Sequence, residues 1–563
     1  MSDAPLSTPL TLPCGAQLPN RLMKSALSEA LATPAQEPGS RLETLYQVWA
    51  GGGYGLLVTG NVMVDPLRLG EPGNVAIGES TGLDAFKRWA AAGRDAGTPV
   101  WMQINHPGRQ ANPLASRGDL VAPSAVAMSI PGASTPRALS DTEIDEIIEQ
   151  FVRAAQVAEA SGFDGIQVHG AHGYLVSQFL SPLANRRSDS WGGDIVGRSR
   201  FLLEIVRRIR AGVSPGFAIG VKLNSADFQR GGFDEADSTS VVELLSGQAI
   251  DLIEISGGSY ESPAMMGTGS TRSREAYFLS YAESVRDVSG ATPLAVTGGF
   301  RSREAMEAAV AKGFCDVVGI GRPAALITDS AARILEGADR LDVTEVALPV
   351  AKALKSNSTV RALESALALQ WHTDQLHRIG SGRNPDADRS LAKTLVTTVQ
   401  RNGVDGLRGS TRRTSRPTRT RVVRKFRRER WIGKYFANPA VMVLRKLGVK
   451  THLATTLETT GRRSAQPRQI PVAASIDADG AWIISQHGHR SGWAINIAAD
   501  PRVRIKDGDE WRSGIAEFRP DDDVHARMNR FAANPVLARL NASGFRALAS
   551  DPISVRIRFD DSL

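Results

Sequence analysis

His169 and His172, followed by Tyr174 in the run HGAHGY, are residue types that can act together on one oxygen. Paired imidazole donors hold and polarise a carbonyl or nitro oxygen as it gains negative charge, and a nearby phenol supplies a proton. The plainer reading makes both histidines hydrogen-bonded residues of a turn, but a set of three groups this close favours the chemical one. Two glycine groups form a second candidate set: Gly298-Gly299, and Gly319-Ile320-Gly321 with Arg322 after it. Glycines let backbone N–H groups approach a phosphate and the guanidinium adds a forked cation, although tight turns also need glycine. Gln103 and Lys222 complete the polar inventory.

These groups form one site only if a scaffold brings them together. From Arg21 to Pro323 short β-rich apolar runs alternate with amphipathic segments, which predicts repeated βα units and a parallel sheet. Strands are expected at 21–28, 55–60, 100–106, 164–170, 217–224, 251–258, 293–299 and 315–321. The clearest helix starts with a capping box at Ser140 and Glu143, continues through Ile144, Ile147, Ile148 and Phe151, and ends at Gly162. A count of eight strands favours a closed (β/α)8 TIM barrel of the α/β class, because closure leaves no edge unpaired. Such a barrel carries its site at the strand C-terminal ends, where His169, Gln103, His106, Lys222 and both glycine groups fall.

At 563 residues the chain is too long for one core, so at least two domains are expected. Apolar residues at 42% and charged ones at 22% exclude disorder throughout. The net charge of +8 is densest between Arg401 and Arg430 and is no function by itself. Cys14 and Cys315 alone cannot build a disulfide framework or a cysteine-ligated cluster, and both read as reduced, buried thiols. The opening 22 residues lack a basic start and apolar core, and no apolar run reaches the span of a membrane, so a cytoplasmic protein is expected. Residues 329–403 read as helices packed on the barrel, with Trp371, His372 and His377 as packing or surface residues. The Arg-rich stretch at 401–430 reads as a solvated linker rather than a binding arm, since no aromatic residue interleaves before Phe426 and Trp431. The expected plan is a barrel with C-terminal helices at 1–400, that linker, and a smaller domain at 431–563 with strands in RQIPVAASI, AWIISQ and RVRIKD.

The segment GFDGIQVHGAHGYLVSQFLSPLANRRSDSWGG, with PNRLMKSALS, MQINHPGRQ, VKLNSAD and VVGIGRP in order, resembles the old yellow enzyme (NADH:flavin oxidoreductase) family from about Leu10 to Gln400. The resemblance implies an FMN-holding barrel that reduces an activated C=C of an enone, enal, maleimide or nitroalkene. It assigns His169 and His172 to the substrate oxygen and Tyr174 to protonation, with Ser25, Ala26, Ser28, Gly60, Gln103 and Lys222 against the flavin and Gly298, Gly299, Gly321 and Arg322 on its phosphate. Lys222 stands where the family usually has Arg: it keeps a cation suited to an anionic reduced flavin but loses the planar fork. A lysine paired with a carboxylate inside the barrel is the alternative. Ala26, Ser28 and Ala30 replace the Pro, the Cys or Thr, and the aromatic residue of relatives, which implies a wider pocket. The cysteine cluster of branches fused to an iron–sulfur module is missing.

In the tail, TTGRRSAQPRQIPV and SGWAINIAADPRV resemble the deazaflavin-dependent nitroreductase family, split β-barrels that bind coenzyme F-420, over roughly Trp431 to Phe559. Arg462, Arg463, Ser464, Arg468, Pro471, Trp493 and Asn496 are the implied cofactor residues, and clustered arginines suit a phosphodiester and an acidic tail. Ala465 replaces a usual Gly and Ala494 a Tyr, so a solvated loop on a degenerate barrel is the alternative. Tyr435 is the only tyrosine here, which disfavours an independent nitroreductase. The expected function is therefore an ene-reductase fed from F-420H2 by the tail. Its competitors are two independent reductases with NADH or NADPH feeding the barrel, and an RNA- or membrane-associated protein acting through the linker. The expected partner is a small electron-poor alkene, in a homo-oligomer such as a dimer, with neither nucleic acid nor membrane.

Overall fold

The computed structural model describes residues 4–113, 115–129, 133–258, 279–343, 358–391, 393–394, 397, 455–462, 465–485, 488–508, 510–524, 527 and 553–560. It divides into two compact units, Met1–Val399 and Gln400–Leu563. The expected linker at 401–430, Arg463 and Ser464 lie outside the described residues.

Eight parallel strands form the first unit's barrel: β1 (Leu22–Lys24), β2 (Leu56–Val58), β3 (Val100–Asn105), β4 (Gly165–Gly170), β5 (Ala218–Asn224), β6 (Leu252–Ser256), β7 (Leu294–Thr297) and β8 (Val317–Ile320). Each pairs with the next, β8 pairs with β1, and the circle is complete. β1 is shorter than its apolar pattern because the chain leaves the ladder after Ser25, whose N–H still donates to Ile320 O at 3.0 Å.

Alternation along the strands sorts side chains into an outer set facing the helices and an inner set filling the barrel. The inner floor is apolar: Met23, Leu56, Val58, Trp101, Ala218, Leu252, Ala295 and Val317, closed below by Leu12 and Leu18 beside the short hairpin Leu10–Thr11 with Gln17–Leu18. Gly165 and Gly220 make room for the Trp101 indole, since a Cβ on Gly220 would lie 2.7 Å from its ring. Outside, α1 (Ser40–Ala50), α2 (Asp84–Arg94), α3 (Asp141–Ala160), α4 (Ile195–Gly212), α5 (Glu235–Ser246) and α6 (Arg303–Ala311) supply apolar faces. The α3 capping box is formed in both directions, with Glu143 N–H on Ser140 Oγ and Ser140 N–H on Glu143 Oε2.

In α7 (Ser358–Ile379), Trp371 is buried with Nε1 donating to Arg389 O, His372 Nδ1 pairs with Ala368 O, and His377 Nε2 pairs with Glu29 O at 2.9 Å. Cys315 is buried, but Cys14 is only half-buried. Its position is set by the backbone, where its N–H donates to Asp251 Oδ1 at 2.7 Å.

In the second unit an antiparallel half-barrel sheet contains β9 (Thr455–Thr460), β10 (Pro467–Val472), β11 (Ala474–Asp477), β12 (Gly480–Ser485), β13 (Arg502–Asp507), β14 (Glu510–Arg519) and β15 (Ile553–Phe559). Their spatial order is β10-β9-β13-β14-β15-β12-β11. Leu457, Ile483, Ile505, Val555, Ile557 and Phe559 form its core against α8 (Gly492–Ala499).

Candidate active site

Above the apolar floor the inner face turns polar. Ser25, Gln103, Gln167, Lys222, Glu254 and Thr297 occupy the next level, by strand parity with the floor residues. A barrel interior is ordinarily packed with branched apolar side chains, so this level marks where chemistry is built. Lys222 Nζ donates to Glu254 Oε1 at 2.8 Å, Gln167 Nε2 to Glu254 Oε2 at 2.7 Å, and Gln103 Nε2 to Gln167 Oε1 at 2.7 Å. Ser25 and Thr297 share a hydroxyl hydrogen bond of 2.7 Å. Lys222 is thus the carboxylate-paired lysine, a partnership open at the sequence level.

The histidines stand at and just past the C-terminal end of β4. His169 ends β4 beside Lys222 in register, and the chain then turns sharply: His172 has φ +61° and Gly173 φ +75°. A left-handed backbone at a non-glycine residue costs free energy that the surroundings must supply, and such positions cluster at functional sites. The turn brings the His169 ring 5.1 Å from that of His172 and 4.8 Å from that of Tyr174, edge to face in both cases. His169 Nδ1 accepts from Ala171 N–H at 3.2 Å, which puts the ring proton on Nε2 as a donor. His172 Nε2 pairs with Ser256 Oγ at 2.9 Å, and its N–H donates to Asn224 Oδ1 at 3.3 Å. His106 is instead a turn residue, with Nδ1 accepting from Gly108 N–H and Nε2 facing Asp65 at 3.8 Å.

Burial, then the neighbouring His172 and Lys222, hold His169 well below the ordinary imidazole range, while burial and Lys222 hold His172 at about 3. Both therefore stay neutral from about pH 5 to about 8 and act as N–H donors, not cations. Ligand affinity at this pair is expected to be flat across that range, and a midpoint near the ordinary 6.5 in a binding titration would contradict the assignment. Unfolding releases the rings into water, where they take up protons near 6.5, so their contribution to stability is present above that pH and declines as pH falls below it. Urea midpoints measured from about pH 7 to about pH 5 check that sign.

Gly298 and Gly299 follow β7 with φ of +151° and +88°, and Gly321 precedes a 3-10 turn, Arg322–Ala325. Glycine tolerates these positive φ values and leaves no side chain over the backbone N–H groups, so an anion could approach them. A Cβ on Gly319 would lie 1.8 Å from Thr297 Oγ1 and 2.5 Å from Ser25 Oγ, whereas one on Gly321 would meet nothing within 4 Å. Arg322 and Arg301 both help hold His372 near 4, after burial, so two cations flank this end. Arg301 escaped the sequence reading. Among the described residues, buried polar atoms without a protein hydrogen bond stand at or just past the C-terminal ends of barrel strands: both ends of the Asn105 amide, Asn61 Oδ1 and Ser225 Oγ. A heteroatom-rich ring with a phosphate fits these orphaned groups, the glycine cradle and its cations.

The first strand holds a second polar cluster on its outer side. Lys24 is fully buried; Nζ donates to Val58 O at 2.7 Å, lies 4.1 Å over the Trp49 ring and stands 3.9 Å from Glu29. Glu29 Oε1 accepts from Tyr46 OH at 2.5 Å and from Gly60 N–H at 2.8 Å. Gly60 suits its position because a Cβ would fall 2.3 Å from the Leu27 backbone carbonyl oxygen as well as 1.9 Å from Glu29 Oε2. Its N–H is thus engaged by Glu29. Ser28 Oγ is engaged by Glu71 Oε1, and Ala26 packs against the interior cluster.

In the second unit Arg468 lies opposite Thr459 and Pro471 opposite Thr456, while Arg462 N–H donates to Asn496 Oδ1 at 3.4 Å and Asn496 Nδ2 to Thr459 Oγ1 at 3.1 Å. Arg462, Arg468 and Asn496 therefore meet around the end of β9; Trp493 packs on the core. Arg462 and Arg468 are exposed, as anion-binding guanidinium groups can be. Ala465 sits at φ +51°, which explains why glycine suits this position and adds local strain. Among the described residues no helix is long and apolar enough to cross a membrane, and no group of His, Cys, Asp or Glu is placed to hold a metal.

Comparison with known proteins matches residues 5–338 to the NADH:flavin oxidoreductase / NADH oxidase family and residues 435–558 to the F-420H2-dependent quinone reductase family. The NADH-dependent flavin oxidoreductase iliE of Hypocrea jecorina is 40% identical over 355 residues, 58% of this chain and 88% of that protein. The NADH oxidase of Thermoanaerobacter brockii is 35% identical over 306 residues, covering 54% of this chain and 46% of that one. Among solved structures, an asparagine-to-alanine mutant of morphinone reductase in complex with tetrahydroNAD superposes with a TM-score of 0.51 at 26% identity, over 60% of this chain and 92% of its own. An old yellow enzyme homologue from Zymomonas mobilis shares the fold at 24% identity and a TM-score of 0.52, over 60% of this chain and 93% of its own.

Proposed function

We propose, from the premise that the chain belongs to the NADH:flavin oxidoreductase / NADH oxidase family and is a flavin-dependent oxidoreductase, that its barrel reduces an electron-poor carbon–carbon double bond. The observation that carries this reading is the convergence of two neutral imidazoles and a phenol above a polar, lysine-bearing level. In this reading Gln103, Lys222 and Ser25 meet the ring of FMN, and Gly298, Gly299, Gly321 and Arg322 its phosphate. Bound FMN supplies hydride chemistry. His169 and His172 hold the oxygen conjugated to the alkene and draw electron density toward it, which leaves the β-carbon open to hydride. Tyr174 gives its hydroxyl proton to the α-carbon and regains one from solvent, so the alkene gains one hydride and one proton.

In this reading Arg462, Arg468 and Asn496 of the second unit would hold F-420, whose reduced form would supply electrons for the chemistry of the barrel; linkage on one chain raises effective concentration. NADH as donor is the second reading, favoured by the names of the relatives that match the barrel. Mass spectrometry of ligands released from the purified protein, followed by anaerobic mixing with each donor, tests both. FMN among the released ligands, and protein-bound flavin bleached faster by F-420H2 than by NADH, are the expected results. A colourless protein overturns the barrel reading, and bleaching by NADH alone overturns the fused supply.

A further inference from the structure

We propose that Glu254 and Gln167 are positioning residues for the cofactor, the carboxylate setting the direction of a buried amide chain that ends on Gln103 while balancing the charge of Lys222. The proposal rests on the reading that the barrel mouth holds FMN. Gln103, Gln167, Lys222 and Glu254 are all buried, at most 3% exposed as residues, so solvent does not orient them.

A carboxylate only accepts, so Gln167 must turn its NH2 group toward Glu254 Oε2, at 2.7 Å. That turn leaves Gln167 Oε1 facing β3, where it can only be met by a donor, and Gln103 Nε2 meets it at 2.7 Å. The two ends of an amide are nearly equal in size, and packing alone does not choose between them. One buried charge thus chooses for both amides. Gln103 is left with a defined carbonyl oxygen and one further N–H. The imide edge of an isoalloxazine alternates carbonyl oxygens with an N–H and needs an acceptor beside a donor in a fixed sense. Reversing Gln103 would set donor against donor.

The other carboxylate oxygen accepts from Lys222 Nζ at 2.8 Å. A cation without its counter-charge would favour an anionic reduced ring; the pair moderates that preference. Gln167 touches the amide chain and not the lysine, so the two effects are separable by substitution.

Glu254→Gln and Gln167→Met are the variants, each purified as full chain, stripped of flavin and titrated with FMN by fluorescence quenching. Midpoint potentials of the loaded proteins are then measured by dye equilibration. Both variants are expected to bind FMN about tenfold more weakly, the scale of one misdirected hydrogen bond. Glu254→Gln alone is expected to raise the potential, by about 30 mV for each tenfold gain in relative affinity for the reduced form. A merely structural pair would lower thermal midpoints without separating the two potentials. Wild-type FMN affinity in both variants, or equal potentials in the two, overturns the proposal while leaving the FMN reading intact. Wild-type protein that takes up no FMN overturns that reading and the proposal together. If Glu254→Gln does not fold, Gln167→Met decides alone: FMN affinity equal to wild type refutes the relay.

Discussion

His172→Ala lowers turnover on a maleimide or enone by about 10²-fold or more while the flavin stays bound. His172 partners Asn224, Ser256 and His169, so in the proposed reading its loss would remove a donor to the substrate oxygen and leave the groups assigned to the cofactor in place. Its ring contacts His169, and its Nε2 pairs with Ser256 Oγ, so the variant also unhooks one end of the donor pair from β6. His169→Ala is expected to cost a similar factor, and the double variant much less than the product, because two donors on one oxygen act as a unit. Steady-state rates normalised to bound flavin absorbance measure this. Unchanged turnover at full flavin content removes the assigned role.

Glu29→Ala is expected to lower folding stability by about 3–5 kcal/mol, the loss typical of a buried charge stripped of its partner. One carboxylate oxygen serves Tyr46 OH at 2.5 Å and Gly60 N–H at 2.8 Å, and the same oxygen faces Lys24 Nζ at 3.9 Å. Alanine leaves the fully buried Lys24 and Tyr46 without that acceptor. Adding Lys24→Met should restore much of the loss, since the uncompensated cation then disappears. Urea unfolding of the wild type and the three variants closes the cycle. A Glu29→Ala protein as stable as wild type would show that Val58 O and the Trp49 ring suffice for the lysine.

The barrel was legible because each strand is a short apolar run and each intervening helix has a stripe, and both depend on nearest neighbours in sequence. The α3 capping box is as local, with Ser140 and Glu143 three positions apart. His169, His172 and Tyr174 were legible for the same reason: one turn carries all three. What could not be read is pairing across strands. Gln167 and Glu254 are 87 positions apart, and nothing in either segment names the other. Their signal was nonetheless present, as polar residues at inward parity, Gln167 and His169 in GIQVHG and Glu254 and Ser256 in LIEIS. Lys24 in LMK carried a similar signal on the outward face. Gly60 shows a different limit: its N–H goes to Glu29, 31 positions earlier, a partner that a motif-based expectation of cofactor contact does not contain.

The most direct test of imidazole-assisted hydride delivery is anaerobic reoxidation. Flavin-loaded protein is photoreduced and mixed with a stoichiometric maleimide while absorbance and product are followed together. Flavin absorbance is expected to return as succinimide forms in equal amount, and about 10²-fold more slowly in the His169→Ala/His172→Ala protein. A wild-type flavin that stays reduced, or equal rates in the two proteins, would contradict it.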